Sequence, residues 1–244
     1  MSSKAIDILS ILNGCSVFAT LKEPQLRELA GKARIEHYSE RTLLTLRGEL
    51  PEHLRYVVSG SIDLVLSTPG GGFSSVPLIE GRWATWLGCF GSEPLVHDLW
   101  SSTNATYVAI PCREVIRMAG NNPETLREVI EQVGGWTRFL TGSILSFAAY
   151  GPEKRLAYLL LLASTESFSI TREGQATALT QTHISQFGFG SRQKVSRLLR
   201  GLADKGLIEM RYGGVIIPSR ARLQAFIADD RFPPSDLSRK TARG

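Results

Sequence analysis

Features that mark several functional classes are scarce or missing in this 244-residue chain. Its three cysteines, Cys15, Cys89 and Cys112, lie far apart in sequence and form no Cys-x-x-Cys pair. The usual ligand spacings of zinc and iron–sulfur sites are therefore absent, and the four histidines show no metal spacing either. We expect no metal site, no cofactor and three reduced thiols, as in a cytoplasmic protein.

Long apolar runs and catalytic motifs are also missing. No stretch of about 18 apolar residues occurs, so we expect no membrane-spanning helix and no membrane partner. The amino terminus lacks the apolar core and the cleavage site of a secretory signal. There is no Gly-x-Ser-x-Gly, no phosphate-binding loop and no paired-carboxylate motif. We therefore predict no catalytic residues, and a protein that is not an enzyme.

Net positive charge is concentrated in one part of the chain. Residues 180–222 contain eight Lys or Arg and two acidic residues, which gives this stretch a net charge of +6. Residues 1–179 have 16 basic and 18 acidic residues, a net charge of −2. This asymmetry is typical of a chain with a separate module that binds a polyanion.

The stretch from about 34 to 111 has the texture of a β domain. Short runs rich in β-branched and aromatic residues alternate with turn signals such as Ser59-Gly60-Ser61 and Glu80-Gly81. Regular spacing of this kind predicts a β-sandwich or jelly roll. Pro69-Gly70-Gly71-Gly72 predicts a hairpin between two strands. Together with the helical segments, this indicates an α+β fold.

A long helix follows the β-rich stretch. Asn122, Pro123 and Glu124 form a strong start signal, and Gly151-Pro152 ends the helix after Tyr150. One interpretation is that an apolar seam on this helix joins two subunits; the other is that the helix lies on its own domain. For the first interpretation, the predicted interface residues are Leu126, Val133, Trp136, Leu140, Ile144 and Phe147.

Residues 179–217 have the order of a winged helix-turn-helix: a short helix, a glycine-containing turn, a basic helix and a Gly-Gly hairpin. The basic helix is predicted to start at Ser191 as N-cap and to end near Asp204, with the wing at Met210–Val215. The residues predicted to read bases are Arg192, Gln193, Ser196 and Arg197. Those predicted to contact the DNA backbone are Thr180, Gln181, Ser191, Lys194, Arg200 and Arg211. For Arg200 and Arg211, a solvated surface position is the alternative.

The order of a β-rich domain, a long helix and a winged helix-turn-helix resembles the Crp/Fnr family of bacterial transcription regulators. Ser191-Arg-Gln-Lys-Val-Ser-Arg197 is similar to the family's recognition helix, and Tyr56-Val-Val-Ser-Gly60 to a strand and turn of its sensor domain. The resemblance implies an N-terminal jelly-roll sensor at 1–122, a dimerisation helix at 123–150 and a DNA-binding domain at 151–228, followed by a loose tail at 229–244. It further implies a homodimer, a two-fold symmetric operator of double-stranded DNA, and RNA polymerase as a partner.

The sensor departs from that family pattern. Members that bind cyclic nucleotides have a Gly-Glu step that holds the ribose and a later arginine that neutralises the phosphate. Here Thr85-Trp86 stand at the first position, and Glu93–Trp100 contains no arginine. A buried phosphate without a cationic partner is poorly compensated, so we expect no cyclic AMP binding in the usual mode. Arg82 is a candidate to replace the missing phosphate-binding arginine, but its neighbours do not form the phosphate-binding loop expected from the family.

Aromatic residues replace the polar site. The candidate effector-pocket residues are Arg82, Trp83, Thr85, Trp86, Trp100 and Trp136. The rings either fill the cavity of a ligand-independent regulator, line a pocket for a small apolar effector, or form plain core. An alternative function is an effector-binding sensor that acts mainly through protein partners, with DNA contact secondary.

Overall fold

The fold is seen in a computed structural model that describes residues 6–67, 73–120, 122–164, 176–177, 179–211 and 213–228. Its helices are α1 (Ile8–Asn13), α2 (Ser16–Ala19), α3 (Glu23–Lys32), α4 (Trp86–Phe90), α5 (Cys112–Ala119), α6 (Pro123–Ala149), α7 (Pro152–Ala163), α8 (Gln181–Ile184), α9 (Arg192–Asp204) and α10 (Arg220–Ala228). Among these described segments, no helix is long and apolar enough to cross a bilayer.

The strands alternate with turns as the sequence predicts. They are β1 (Arg34–Tyr38), β2 (Leu43–Thr45), β3 (His53–Ser59), β4 (Ser61–Ser67), β5 (Phe73–Ile79), β6 (Trp83–Ala84), β7 (Asp98–Ser101), β8 (Ala105–Pro111), β9 (Ala176–Thr177), β10 (Glu209–Arg211) and β11 (Gly214–Ile216). The mixture of helices and a strand-rich N-terminal half confirms the predicted α+β class.

Two antiparallel sheets form the N-terminal half, in the orders β1-β8-β3-β6 and β2-β7-β4-β5. Strands β4 and β5 pair along their whole length, so the predicted hairpin exists, while its turn lies outside the described residues. Buried Val57 and Tyr107 from the first sheet meet Ile62, Leu78 and Leu99 from the second. Alternate residues of each strand thus point into the space between the sheets.

A second cluster covers the N-terminal helices. Leu12, Phe18 and Leu29 pack there with Trp86 and with Val129 of α6. This cluster joins α1–α3 to the sheets and to the long helix. It also holds Cys15, whose burial raises the pKa of the thiol to about 11.

The cysteines require a correction. Cys89 and Cys112 form a disulfide with a Cα–Cα separation of 5.1 Å, so the expectation of three reduced thiols was wrong for this pair. The fold brings α4 next to the first residue of α5, and the sequence separation of 23 positions gave no local signal of that proximity. Cys15 is the free thiol among the described residues.

The long helix α6 begins where its capping signal predicts. The Asn122 side chain accepts hydrogen bonds from the backbone N–H groups of Glu124 (3.0 Å) and Thr125 (3.3 Å), and Pro123 occupies the first turn. Buried Val129, Phe139 and Ser146 mark the face that lies on the chain itself. The opposite face is open to solvent. Because α6 contributes side chains to both the N-terminal and the C-terminal cluster, it connects the two halves of the chain.

The C-terminal half has its own core. Leu156 and Leu160 of α7, Ile184 of α8, Leu199 of α9 and Val215 of β11 are all buried in one cluster. A three-stranded sheet of order β10-β11-β9 closes this domain. The cluster also includes Ile79 of β5, which shows that the N-terminal half packs directly on the C-terminal half.

Candidate nucleic-acid interface and sensor pocket

The basic helix α9 is positioned by its cap and by the turn before it. The Ser191 Oγ accepts a hydrogen bond from the Lys194 backbone N–H at 3.3 Å, so Ser191 is the N-cap that the sequence predicts. In the turn Ser185–Phe189, Gly188 has φ +76°, and Gly190 just after it has φ +88°. Glycine tolerates this left-handed backbone, which other residues adopt at a cost. The turn thus sets the angle between α8 and α9.

Helix α9 divides cleanly into two faces. Val195, Leu199 and Leu202 are buried in the domain core, at the spacing of one helix face. The opposite side presents exposed residues, which are Arg192, Gln193, Lys194, Arg197 and Arg200. The free N–H groups and the positive dipole end at Ser191 favour an anion there. This face is therefore a cationic ridge.

Three of the four residues predicted to read bases have no side-chain hydrogen bond to another described residue. None of the side chains of Arg192, Gln193 and Arg197 hydrogen-bonds to another described residue. Ser196 is half-buried and accepts a hydrogen bond from Arg200 Nη2 at 3.2 Å. Arg200 is thus held along the helix, whereas the three other side chains project without an intramolecular partner among the described atoms.

The predicted backbone contacts have different surroundings. Thr180 is the N-cap of α8, and its Oγ1 accepts a hydrogen bond from the His183 N–H at 3.2 Å. Gln181 is half-buried in the first turn of that helix. Arg211 in the wing pairs with Glu209 at 2.9 Å, and both side chains are exposed. Tyr212, in the predicted wing, lies outside the described residues.

An arginine that sequence reasoning missed joins α6 to the helix-turn-helix. The Arg155 guanidinium carbon lies 3.9 Å from the ring centroid of Phe147 and 4.3 Å from that of Phe189. Its Nη2 also donates to the Gly188 carbonyl at 3.1 Å. Burial lowers the pKa of this guanidinium. The residues come from three separate elements, so no local sequence signal could have grouped them.

The sensor half contains a cavity of about 460 Å³ between β4–β6, α4, the 93–99 segment and α6. Arg82, Trp83, Thr85, Trp86 and Trp136 all line it. The fold thus brings together five of the six predicted effector-pocket residues. The size lies within the usual range of small-molecule sites.

Trp100, the sixth predicted pocket residue, lies outside the cavity. It sits in β7, where its ring lies 5.0 Å from the Arg41 guanidinium, and it is not among the side chains that line the cavity. Alternation along the strand explains the difference, because neighbouring Leu99 points inward and Trp100 outward. Sequence reasoning also missed the aliphatic lining from Leu64, Leu78 and Leu99, which reads as ordinary core.

The aromatic side chains pack around the cavity without filling it. Trp83 and Trp86 lie 6.0 Å apart, and Phe18 contacts both, at 5.2 and 5.7 Å between ring centroids. Trp86 is 7% exposed, and its indole Nε1 has no hydrogen-bond partner among the described residues. A buried indole N–H normally finds an acceptor.

One basic side chain, Arg82, lines this cavity among the described residues. Burial lowers the pKa of its guanidinium to about 10, which leaves it charged at neutral pH. His97 also lines the cavity, and burial lowers its pKa below the usual value of 6.5, so the imidazole is neutral at pH 7. Glu93, the acidic residue on the lining, is exposed.

The predicted interface residues of α6 fall on two sides of the helix. Trp136 and Leu140 pack on the C-terminal core cluster, and Val133 packs on the N-terminal one. The ring of Phe147 lies on Arg155. Ile144 is 69% exposed and Leu126 is 36% exposed. In the seven-residue repeat that starts at Leu126, Val133 and Leu140 therefore pack on the chain itself.

Comparisons with known proteins agree with this architecture. Residues 154–226 match the Crp-like helix-turn-helix domain. The chain is 24% identical over 190 residues to a cAMP-activated global transcriptional regulator CRP from Salmonella typhimurium, spanning 76% of this chain and 90% of that protein. The corresponding protein from Haemophilus influenzae is 24% identical over 227 residues, spanning 91% of this chain and 100% of that protein.

Solved structures show the same fold. FixK2 from Bradyrhizobium japonicum superposes with a TM-score of 0.61 at 16% identity, covering 79% of this chain and 96% of that chain. A putative cAMP-binding regulatory protein from Silicibacter pomeroyi gives a TM-score of 0.54 at 16% identity, covering 90% of this chain and 98% of that chain. At these identities, the likeness concerns the fold alone.

Proposed function

We propose that this chain is a DNA-binding transcription regulator of the Crp/Fnr family, and not an enzyme. It works as a homodimer that reads a two-fold symmetric operator through α9. The observation that carries the proposal is the exposed face of α9. Arg192, Gln193 and Arg197 project from it near a capped N-terminus, without intramolecular partners among the described residues. Two such helices related by a two-fold axis match successive major grooves.

The chemistry of these side chains supports sequence-specific reading. An arginine donates two parallel hydrogen bonds to guanine, and a glutamine pairs in the same way with adenine. The hydroxyl of Ser196 accepts a hydrogen bond from Arg200, so this short side chain is less available for a contact with a base. Lys194, Arg200 and Arg211 supply charge for phosphates, which strengthens binding to any sequence.

The open face of α6 supports dimerisation. Its residues at a 4-3-4-3-4 spacing are Ile130, Gly134, Thr137, Thr141, Ile144 and Ala148, all exposed or half-buried. Ile130 and Ile144 are 68% and 69% exposed. That spacing is the heptad seam of a two-stranded coiled coil, and the small central residues allow the two helices to approach closely. We propose this seam as the subunit interface.

The pocket supports control by something other than cyclic AMP. The cavity has a tryptophan, Trp86, at the position where the family's cyclic-nucleotide binders hold the ribose with a carboxylate. Its lining offers one buried guanidinium and no second cation among the described residues. We therefore propose that cyclic AMP in the usual mode does not control this protein, and that an apolar effector fits the cavity better.

Selection of bound sequences from a random DNA pool tests the proposal. The expected result is a palindromic consensus that the protein binds at least about a thousandfold more tightly than scrambled DNA at physiological salt. Equal affinity for selected and scrambled DNA would overturn specific reading. That result would favour the alternative of a sensor that acts mainly through protein partners.

A further inference from the structure

We propose that the disulfide between Cys89 and Cys112 is a thiol–disulfide switch, which fixes or frees helix α4 at the wall of the sensor cavity and thereby changes DNA affinity. Its oxidant is a small disulfide such as oxidised glutathione, and its reductant is the corresponding thiol. The regulatory part of this inference rests on the proposed function, whereas the opening of the bond and the release of α4 do not.

A disulfide is unusual in a protein that works on DNA. A transcription regulator acts at the genome, in a compartment where thiol reductants keep most cysteines reduced. Disulfides that form there, outside hyperthermophiles, are usually transient and serve catalysis or redox sensing. Here the two Cα atoms lie 5.1 Å apart, so the bond forms between α4 and α5 without movement of the backbone. A reversible bond therefore fits this chain better than a permanent one.

Helix α4 is held in place from both ends. At its start, Thr85 has φ +79°, a left-handed backbone that a β-branched residue adopts only when its surroundings enforce it. The Thr85 hydroxyl donates a hydrogen bond to the His53 carbonyl at 2.7 Å. Near its other end, the disulfide joins Cys89 to the first residue of α5. A helix of five residues is too short to be stable by itself, so opening the disulfide frees α4 to rearrange.

The segment that the disulfide holds is part of the cavity wall. Trp86, Leu87 and Gly88 of α4 all line the cavity of about 460 Å³. Trp86 also belongs to the buried cluster that contains Val129 of α6. A rearrangement of α4 therefore changes both the shape of the cavity and the packing of the long helix.

Aromatic contacts continue from the cavity to the turn before α9. Trp136 of α6 lines the cavity, and its ring lies 5.5 Å from that of Phe139, which lies 5.7 Å from the ring of Phe187. Arg82 and Trp136 also line a second cavity of about 30 Å³, together with Phe187 of that turn. The redox state of the disulfide shifts DNA affinity to the extent that it favours one arrangement of these contacts.

The redox step is a thiol–disulfide exchange. Local opening of the exposed turn at Leu87 gives a small thiol access to the buried sulfur atoms. A glutathione thiolate attacks one sulfur, the Cys89–Cys112 bond breaks, and the other sulfur leaves as a thiolate that takes up a proton. A second glutathione thiolate attacks the mixed disulfide and releases oxidised glutathione and the second protein thiol. Two electrons and two protons thus pass from two glutathione thiols to the protein, and oxidised glutathione reverses these steps.

Incubation of the folded, full-length chain with reduced and oxidised glutathione in varied ratios tests this chemistry. We expect millimolar reduced glutathione to open the bond, and oxidised glutathione to form it again. Maleimide labelling after an acid quench and unfolding should count three free thiols in the reduced chain and one, Cys15, in the oxidised chain. A bond that glutathione opens only after the chain unfolds is a permanent one, and that result would overturn the inference.

Hydrogen exchange measures the release of α4. The amides of Cys89 and Gly91 donate to the carbonyls of Thr85 and Leu87 at 2.8 Å in the oxidised chain. They are expected to exchange at least about tenfold faster in the reduced chain, because the turn opens more often. The amides of α10, in the C-terminal half, are the internal control. Equal exchange of the α4 amides in the two states would show that the disulfide does not hold this helix.

The operator found by selection gives the regulatory readout. The reduced and oxidised chains are expected to differ at least about fivefold in their affinity for it. The Cys89→Ala/Cys112→Ala variant should bind with one affinity at every glutathione ratio. Cys15→Ala, at the buried free thiol, is the matched control and should respond as the unaltered chain does. If the double variant does not fold, Cys89→Ala alone, which also lacks the bond, replaces it.

Equal operator affinity of the reduced and oxidised chains would overturn the switch, as would a glutathione response of unchanged size in the double variant. Absence of any preferred operator would instead overturn the proposed function. In that case the thiol count and the hydrogen exchange still decide whether the bond is reversible and holds α4.

Discussion

Arg197 and Arg155 carry the same charge in the same domain, and their surroundings give them different tasks. Arg197 is exposed on α9, with its donors free of partners among the described residues. Arg155 lies between two phenylalanine rings and donates to the Gly188 carbonyl. A count of charged residues would assign both arginines to DNA binding. The contacts leave Arg197 available for the proposed base reading, whereas those of Arg155 support the turn before α9.

Arg197→Ala is expected to cost about 1–3 kcal/mol of binding free energy on the selected operator and to relax the preference at one base position. Loss of a phosphate contact weakens all sequences alike, so Lys194→Ala is the matched comparison. Fluorescence anisotropy on operators changed one base at a time measures both variants. The reading role is wrong if Arg197→Ala loses the same factor on every sequence.

Arg155→Lys is expected to destabilise the chain by about 1–2 kcal/mol, because lysine loses the planar stacking and the paired donors of the guanidinium. Operator affinity should fall as well, since the turn before α9 loses its support. Denaturant unfolding and DNA titration measure the two effects. Arg222→Lys, at an exposed position on α10, is the control. Equal unfolding midpoints for both variants would contradict this role.

At the scale of elements, helix α6 shows that a seven-residue apolar repeat does not by itself identify the face of a helix that is left open for another subunit. The seven-residue repeat through Leu126 and Leu140 is present in the sequence, but Leu140 packs on the C-terminal core. Two seven-residue rows therefore exist on this helix, and the one through Val133 and Leu140 lies on the side that packs on the chain's own core. The seam through Ile130 and Ile144 is the one left open.

Ile144→Glu is expected to convert the proposed dimer to monomer at micromolar concentration, because it would place two like charges opposite each other across the proposed seam. Analytical ultracentrifugation measures the change. Leu66→Glu, an exposed leucine on β4 that is 48% accessible, is the matched control and should leave the assembly unchanged. A dimer that survives Ile144→Glu with equal affinity would place the interface elsewhere.

The disulfide ties two elements of the sensor together. Cys89 in α4 and Cys112 at the start of α5 close a loop of 23 residues. Reduction is expected to lower the free energy of unfolding by about 3 kcal/mol. Thermal unfolding with and without reductant measures this. A Cys89→Ala/Cys112→Ala variant should be insensitive to reductant, and a reductant effect of equal size in that variant would contradict the assignment.

At the scale of the whole molecule, stability should depend on pH through two half-buried histidines, His53 and His97. Burial lowers the pKa of His53, aided by the charges of Arg34 and Arg55, and burial lowers the pKa of His97. Below pH 6.5 the unfolded chain then binds more protons than the folded chain. The free energy of unfolding therefore falls as the pH drops from 6.5 through the folded pKa values.

Denaturant titrations at pH 7.5, 6.5 and 5.5 measure this dependence. The midpoint is expected to be similar at the first two values and lower at the third. A His53→Gln/His97→Gln variant should lose less stability over the same interval. An equal loss in both proteins would show that other groups cause the acid sensitivity.

Much of this molecule follows from local sequence. The cap at Asn122, the cap at Ser191 and the alternation in the strands depend on residues within a few positions of each other, so they predict α6, α9 and the sheets directly. The charge on residues 180–222 likewise predicts the DNA-binding part. These features are short-range because backbone hydrogen bonding and amphipathic spacing act over one or two turns.

Only the tertiary structure decided the rest. It paired Cys89 with Cys112, turned Trp100 away from the cavity, set Arg155 between Phe147 and Phe189, and placed Arg82 on two cavities at once. Each of these results depends on residues from elements far apart in the chain. Their meeting is fixed by how the sheets and helices pack, which no local pattern contains. The sequence by itself thus determined the helices, the sheets and the charged face of α9, and the packing determined which distant side chains meet, because their contacts depend on the tertiary arrangement of the elements.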